Sequence, residues 1–255
     1  MGDVAGVTYN PLSMASHLSR IITKCCYNLD DLAERNGYHH SWHHSSRFAG
    51  DAPDEVLRAI NAPIEEAHSL LAEDPLLVAT WGTAWVYELA DSTIVNNCHK
   101  YPDSCFVRRR LTVDEIVDAW SMLVERLRVV RRVDGSPMLS VPIVMTVSPV
   151  RHMRDGMHEN QLSKSTLLLA IDELQRRYPG AIYYFPAYEL MMDELRDYRY
   201  YADDMLHPSS LAVRYIWESL APTLFAPPAL EAIRLAEGEA RRAAHRPVVS
   251  TRQQR

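Results

Sequence analysis

Asp204 and His207 carry the clearest capacity for acid–base chemistry in this sequence, within RYYADDMLHPSSLAVRYIWESL (199–220). A carboxylate three residues before an imidazole can hold the ring in one tautomer and stabilise its protonated form. The opposite ring nitrogen is then free to take a proton from a hydroxyl. Asp203 is one residue out of register for this spacing, and Pro208 with the amphipathic run behind it would fix the loop. The structural alternative is a turn capped by Asp204 with His207 lying on the surface.

Two further segments, SPVRH and HENQLSK, supply Arg151, His152, Asn160, Ser163 and Lys164. They fall at a strand end and a helix start, where an anionic or acyl group could be held. The competing reading is loop ordering, with Arg151 paired to an acid in DELRDYRYYADD. In YHHSWHHSS, His39 and His43, or His40 and His44, have the i, i+4 spacing that can chelate zinc on a helix. No third ligand is close in sequence, and Gly37 and the serines weaken a helix there, so a loop is expected, with no metal and no cofactor.

These residues need a scaffold that brings strand ends together. The segment PDEVLRAINAPIEEAHSLL has apolar residues on one helical face, with Pro63 expected to kink or divide it. LTVDEIVDAWSMLVERLRVV opens on a capping box, Thr112 with Glu115, and SKSTLLLAIDELQRRY reads as another helix. Between them, short apolar runs predict strands near Leu76–Thr80, Ile143–Val147 and Ala181–Tyr184. Alternating strands and helices predict an α/β fold with a mainly parallel sheet, whose functional loops follow the strands' carboxyl ends. Those loops would be GTAWVYE, SPVRH and the long segment after AIYYFP, where the polar residues gather. That concentration favours an enzyme over a scaffold.

The composition sets outer limits. The chain has 255 residues, 47% hydrophobic and 24% charged, with net charge -6, which suits a soluble domain with a sizeable core. Nothing in this balance points to nucleic acid or an anionic membrane as partner. Cys25, Cys26, Cys98 and Cys105 form no CxxC spacing and read as reduced thiols of a cytoplasmic protein. No signal peptide or spanning segment is legible. Residues 1–225 form the expected domain, and 226–255 an Ala/Arg-rich tail, helical and then disordered.

The segments YNPLS, TWGTAWVYE, NCHKYP, TVSPVRHMRDGMHENQLSKSTLL and YFPAYELMMDELRDYRYYADDMLHPSSLAVRYIW resemble the GSCFA family, within the SGNH/GDSL hydrolase superfamily. The resemblance covers roughly residues 1 to 220. It implies a three-layer α/β/α sandwich and a serine ester hydrolase or acyltransferase acting on a small-molecule or carbohydrate-linked acyl ester. Asp204 and His207 would complete its triad. Gly6 matches the family's early oxyanion glycine, and Gly82 with Thr83 stands where its second oxyanion block falls. Asn97 would replace the asparagine of that block, the alternatives being that Gly82 only ends a strand and Asn97 only caps a turn, and His44-Ser45 resembles a family element. The family's nucleophile serine lies before the YNP element, which begins here at Tyr9. None of the preceding residues is a serine, and Ser13, Ser16, Ser148 and Ser163 do not occupy that position. The expectation is therefore a chain whose nucleophile and first strand lie upstream. Alternatively, it is a truncated or non-catalytic member that binds its ligand without turnover.

Overall fold

The structure is a computed structural model, and the residues it describes are 6–71, 73, 75–129, 135 and 142–244. The chain enters through α1 (Pro11–Thr23), turns through a hairpin of β1 (Ala33–Arg35) and β2 (Tyr38–His40), and continues into α2 (Pro53–Leu71). Strands β3 (Val78–Trp81), β4 (Trp85–Glu88), β5 (Ile94–Val95) and β6 (Val107–Arg110) precede α3 (Val113–Val129). Then come β7 (Ile143–Val147), α4 (Gly156–Arg177), β8 (Ile182–Tyr184), the one-turn α5 (Ala187–Glu189), α6 (Ser210–Leu224) and α7 (Pro227–Ala244).

The three strands expected from the sequence form one parallel sheet in the order β3-β7-β8. Its central strand, IVMTV, is buried along its whole length. Ile143, Met145 and Val147 face the main core with Trp81, Leu167 and Ile171. Val144 faces a second cluster, in which Phe185 and Ala187 pack with Ile216 and Leu220 of α6. Both faces of β7 are thus covered, as a parallel strand requires. Edge strand β3 buries Ala79 and Trp81 but leaves Val78 44% exposed.

The description "mainly parallel" holds for this sheet and fails for the rest of a mixed α/β fold. GTAWVYE, read as a loop, contains β4, the centre of an antiparallel sheet ordered β5-β4-β6. Four residues are too few for alternation to stand out, and the partners lie in separate segments. Pro63 does not divide α2, which runs unbroken with Val56, Ile60, Ile64, Ala67 and Leu71 buried. Packing of that face outweighs the hydrogen bond the proline cannot donate. Helix α4 begins at Gly156, so HENQ belongs to it.

Local chemistry sets the helix starts. Asn10 caps α1 by accepting from Ser13 N at 2.8 Å, with Pro11 at the first turn. Thr112 and Glu115 form the reciprocal capping box of α3, Thr112 N to Glu115 Oε2 at 2.8 Å and Glu115 N to Thr112 Oγ1 at 3.2 Å. Helices α1, α2, α3 and α4 contribute to one core with Trp81 and Trp120 near its middle. The tail packs α7 against α6, and the disorder expected further on lies outside the described residues. The four cysteines are free thiols. Among the described residues, no helix is long and apolar enough to cross a membrane.

Trp120 is fully buried, stands edge-on to Trp81 at 5.1 Å, and donates from Nε1 to Pro11 O at 3.0 Å. Trp120→Ala is expected to cost about 3–5 kcal/mol through the cavity it leaves. Trp120→Phe should cost less, since it keeps ring packing and loses the bond to α1. Urea unfolding followed by circular dichroism would test both.

Candidate functional site

The loop before α6 is fixed by its own backbone. Ala202 N donates to His207 O at 2.8 Å and Ser209 N to Tyr200 O at 2.8 Å, closing a small antiparallel bridge between Tyr201 and Pro208. Inside it, Asp204 Oδ1 accepts from Leu206 N and His207 N, both at 2.9 Å, while Met205 takes a left-handed φ of 61°. Asp204 Oδ2 reaches His207 Nδ1 at 2.6 Å. Bonds from the His207 and Leu206 amides, then from the His207 ring, hold the Asp204 carboxyl down to about 2. The pair therefore has an ionised carboxylate on Nδ1, and Nε2 makes no hydrogen bond to the described residues. Asp203 is not bonded to the ring.

Beneath this loop the carboxyl ends of β3 and β7 are joined by Lys164. Its Nζ donates to Gly82 O at 2.5 Å and Ser148 O at 2.6 Å, and the residue is 1% exposed. Burial pushes its pKa down to about 7, while the two carbonyl dipoles aimed at the nitrogen favour the charged form. His152 approaches the same carbonyl, Nε2 to Gly82 O at 3.2 Å. Burial, then the nearby Lys164, lowers the His152 pKa, so the neutral ring donates. Asn160 Oδ1 accepts from His152 N at 2.9 Å, and Ser163 Oγ accepts from Ala84 N at 2.8 Å.

Gly82 and Thr83, the expected oxyanion donors, spend their amides on Tyr9 O, at 2.8 and 3.1 Å. A Cβ on Gly82 would stand 3.0 Å from that oxygen, so glycine permits the N-terminal segment to dock here. Gly6, at φ +82°, lies tightly against the Ser45 side chain. Asn97 turns away: its Oδ1 accepts from His99 N at 2.8 Å and from Ser46 Oγ at 3.4 Å. Its neighbour Asn96 faces the cavity instead.

That cavity, about 420 Å³, brings Thr83, Arg151, His152 and His207 together. Its other wall takes Trp85 and Tyr87 from GTAWVYE, one of the expected segments, and adds Arg108 and Arg154, which the sequence did not single out. Pairing of Tyr87 with Arg108 puts these side chains on one face of the antiparallel sheet, as alternation puts Trp85 there too. The Arg108 guanidinium stacks over Trp85 at 4.3 Å and forms a bidentate pair with Asp155. Arg154 bonds the Tyr87 hydroxyl and pairs with Asp103 at 2.9 Å. Arg151 does reach Tyr201 of DELRDYRYYADD and Met205 just after it, but through neutral groups: Nη2 to Tyr201 Oη at 2.6 Å and Nη1 to Met205 O at 3.4 Å. The expected pairing with an acid is not made.

The family model of the GSCFA family matches residues 2–220. The chain belongs to the GSCFA family. No curated protein and no solved structure matches it.

In this GSCFA chain the histidine-rich segment is a packing element. His17 Nε2 meets His43 O at 2.8 Å, and the His44 ring lies against His17 at 5.3 Å and Tyr27 at 4.8 Å. Among the described residues, no group of three His, Cys, Asp or Glu side chains is arranged to hold a metal. Burial lowers His17 to about 4, His40 to about 4 and His44 to about 3, with repulsion from neighbouring histidines next in size.

Unfolded, these histidines take a proton near 6.5, the ordinary value, whereas folded they resist until near 3 or 4. Between those values the unfolded chain binds more protons, so stability should fall as pH drops from about 6.5 to 3. For His17 alone the displacement corresponds to about 3 kcal/mol. Denaturant midpoints across this range would check it, and a flat profile would contradict buried, neutral histidines. Lys164→Met should leave the Ser148 carbonyl without its Lys164 donor and weaken the join between strand ends, costing about 1–3 kcal/mol in the same assay.

Proposed function

We propose that this GSCFA chain carries the acid–base half of an SGNH-type serine ester hydrolase or acyltransferase. The observation that carries this reading is the 2.6 Å contact between Asp204 and His207 beside a cavity, with Nε2 free. On this reading His207 Nε2 takes the proton of a serine hydroxyl as the oxygen attacks an ester carbonyl. It returns that proton to the departing alcohol, and Asp204 stabilises the imidazolium between the two steps. Water, or a second alcohol in a transferase, repeats the sequence on the acyl-enzyme.

Among the described residues, no serine lines the cavity with His207. The proposed nucleophile is a serine outside the described residues, on a strand adjoining β3. Two features support that placement. The described residues put no strand beyond β3 in its sheet, and Val78 on that strand is 44% exposed. Coverage of β7 by helices on both sides supports the three-layer α/β/α arrangement of the same reading. The missing serine also favours a second reading, in which the cavity binds an acylated or carbohydrate ligand without turnover.

The 255-residue chain should hydrolyse p-nitrophenyl acetate barely above background. A chain extended by the in-frame sequence upstream of Met1, where that encodes a strand-turn serine, should be active. There His207→Ala should lower kcat by about 10³-fold or more. Inertness of the extended chain would favour binding without turnover. Brisk, His207-dependent cleavage by the shorter chain would place the nucleophile within it.

A further inference from the structure

We infer that the cavity beside His207 is selective for anionic ligands. It would take a sugar-sized molecule carrying a carboxylate or phosphate, with Arg151 as the partner of that charge. That this molecule is also the acylated substrate rests on the function proposed above; recognition of the anion does not.

The protein as a whole has a net charge of -6. The cavity runs against that balance, because Arg108, Arg151 and Arg154 line it and, among the described residues, no Asp or Glu does. A cationic group walled by aromatic rings of low polarity attracts ions of the opposite sign, provided its charge is not already paired. The three arginines are not equivalent. Arg108 is neutralised by Asp155 and Arg154 by Asp103. Arg151 has no carboxylate partner among the described residues: it is held by a tyrosine hydroxyl and a main-chain carbonyl, and it stacks over the Tyr201 ring at 4.3 Å. Neutral partners fix the direction of a guanidinium without cancelling its charge, which prepares it for a bidentate oxyanion.

The wall also holds polar atoms that the protein leaves unmatched. Trp85 Nε1 and Arg108 Nε are buried donors, and Asn96 Oδ1 a buried acceptor, with no hydrogen-bond partner among the described residues. Buried groups of this kind are normally satisfied, but these atoms are closed off from the cavity as it stands, so they do not by themselves select a ligand. A volume of about 420 Å³ is adequate for one sugar-sized molecule. Arg151 N also donates to Leu206 O at 3.3 Å, which ties the anion's partner to the loop carrying Asp204 and His207. An anion held there would share the cavity with His207.

Titration calorimetry on the full chain would compare glucuronate, glucose 6-phosphate, glucose and inorganic phosphate. The two anionic sugars, or one of them, should bind about tenfold or more tightly than glucose and weaken as salt is added. Whichever binds identifies carboxylate or phosphate as the preferred group. Arg151→Gln should remove that preference, and Arg151→Lys should restore part of it. Because no ester is cleaved, loss of hydrolysis would not affect these readings. Equal binding of glucose and its anionic forms, or salt-insensitive binding, would overturn the inference even if Arg151→Gln failed to fold. Inorganic phosphate binding as tightly as the sugar phosphate would overturn the sugar-sized ligand.

Discussion

The site depends on one buried ammonium group. Lys164 rises from α4 into the gap where β3 and β7 end and donates to a carbonyl from each. Parallel strands leave their terminal carbonyls pointing at the loops that follow, where nothing in the sheet can satisfy them. A lysine that supplies both bonds turns that deficit into a clamp. It fixes the Gly82 carbonyl on which His152 rests, and the same segment receives Tyr9 from the N-terminal side. Removing a charge from water is costly, so such a group is retained only where its hydrogen bonds are well made. The bonds at 2.5 and 2.6 Å meet that condition.

Above the clamp, charge is arranged in two ways. Arg108 is spent on Asp155, which fastens the antiparallel sheet to the start of α4, and Arg154 on Asp103, which fastens the segment just before α4 to the 103–105 turn. These pairs build the wall. Arg151 and the Asp204–His207 pair are different, since each presents unspent capacity to the cavity: a positive charge in one case and a free imidazole nitrogen in the other. The loop bridge between Tyr201 and Pro208 holds the segment carrying Asp204 and His207 with main-chain bonds, and the Asp204 carboxylate adds two bonds from the Leu206 and His207 amides.

Membership of the GSCFA family rests on a match spanning residues 2–220, which takes in the whole parallel sheet and the loop carrying Asp204 and His207. The helix α7 falls beyond that match and lies largely exposed against α6. The histidine-rich segment falls inside it, where His40, His43 and His44 serve as aromatic packing and burial opposes their charge.

The sequence by itself determined what local interactions govern. The β-branched run of β7, the Thr112–Glu115 capping box and the Asp204–His207 contact each join residues at most four apart. Backbone geometry over so short a distance leaves few arrangements, and residue type selects among them. Tertiary structure decided the rest. It paired Tyr87 with Arg108, set Arg151 against Tyr201 and carried Lys164 under Gly82, contacts separated by tens of residues. In sequence, RRR at 108–110 reads as an undifferentiated basic run; only the sheet register sends Arg108 to the cavity wall and Arg109 to Glu88. Many partners of similar charge and size were open to each of these side chains, and packing of the whole chain alone chose among them.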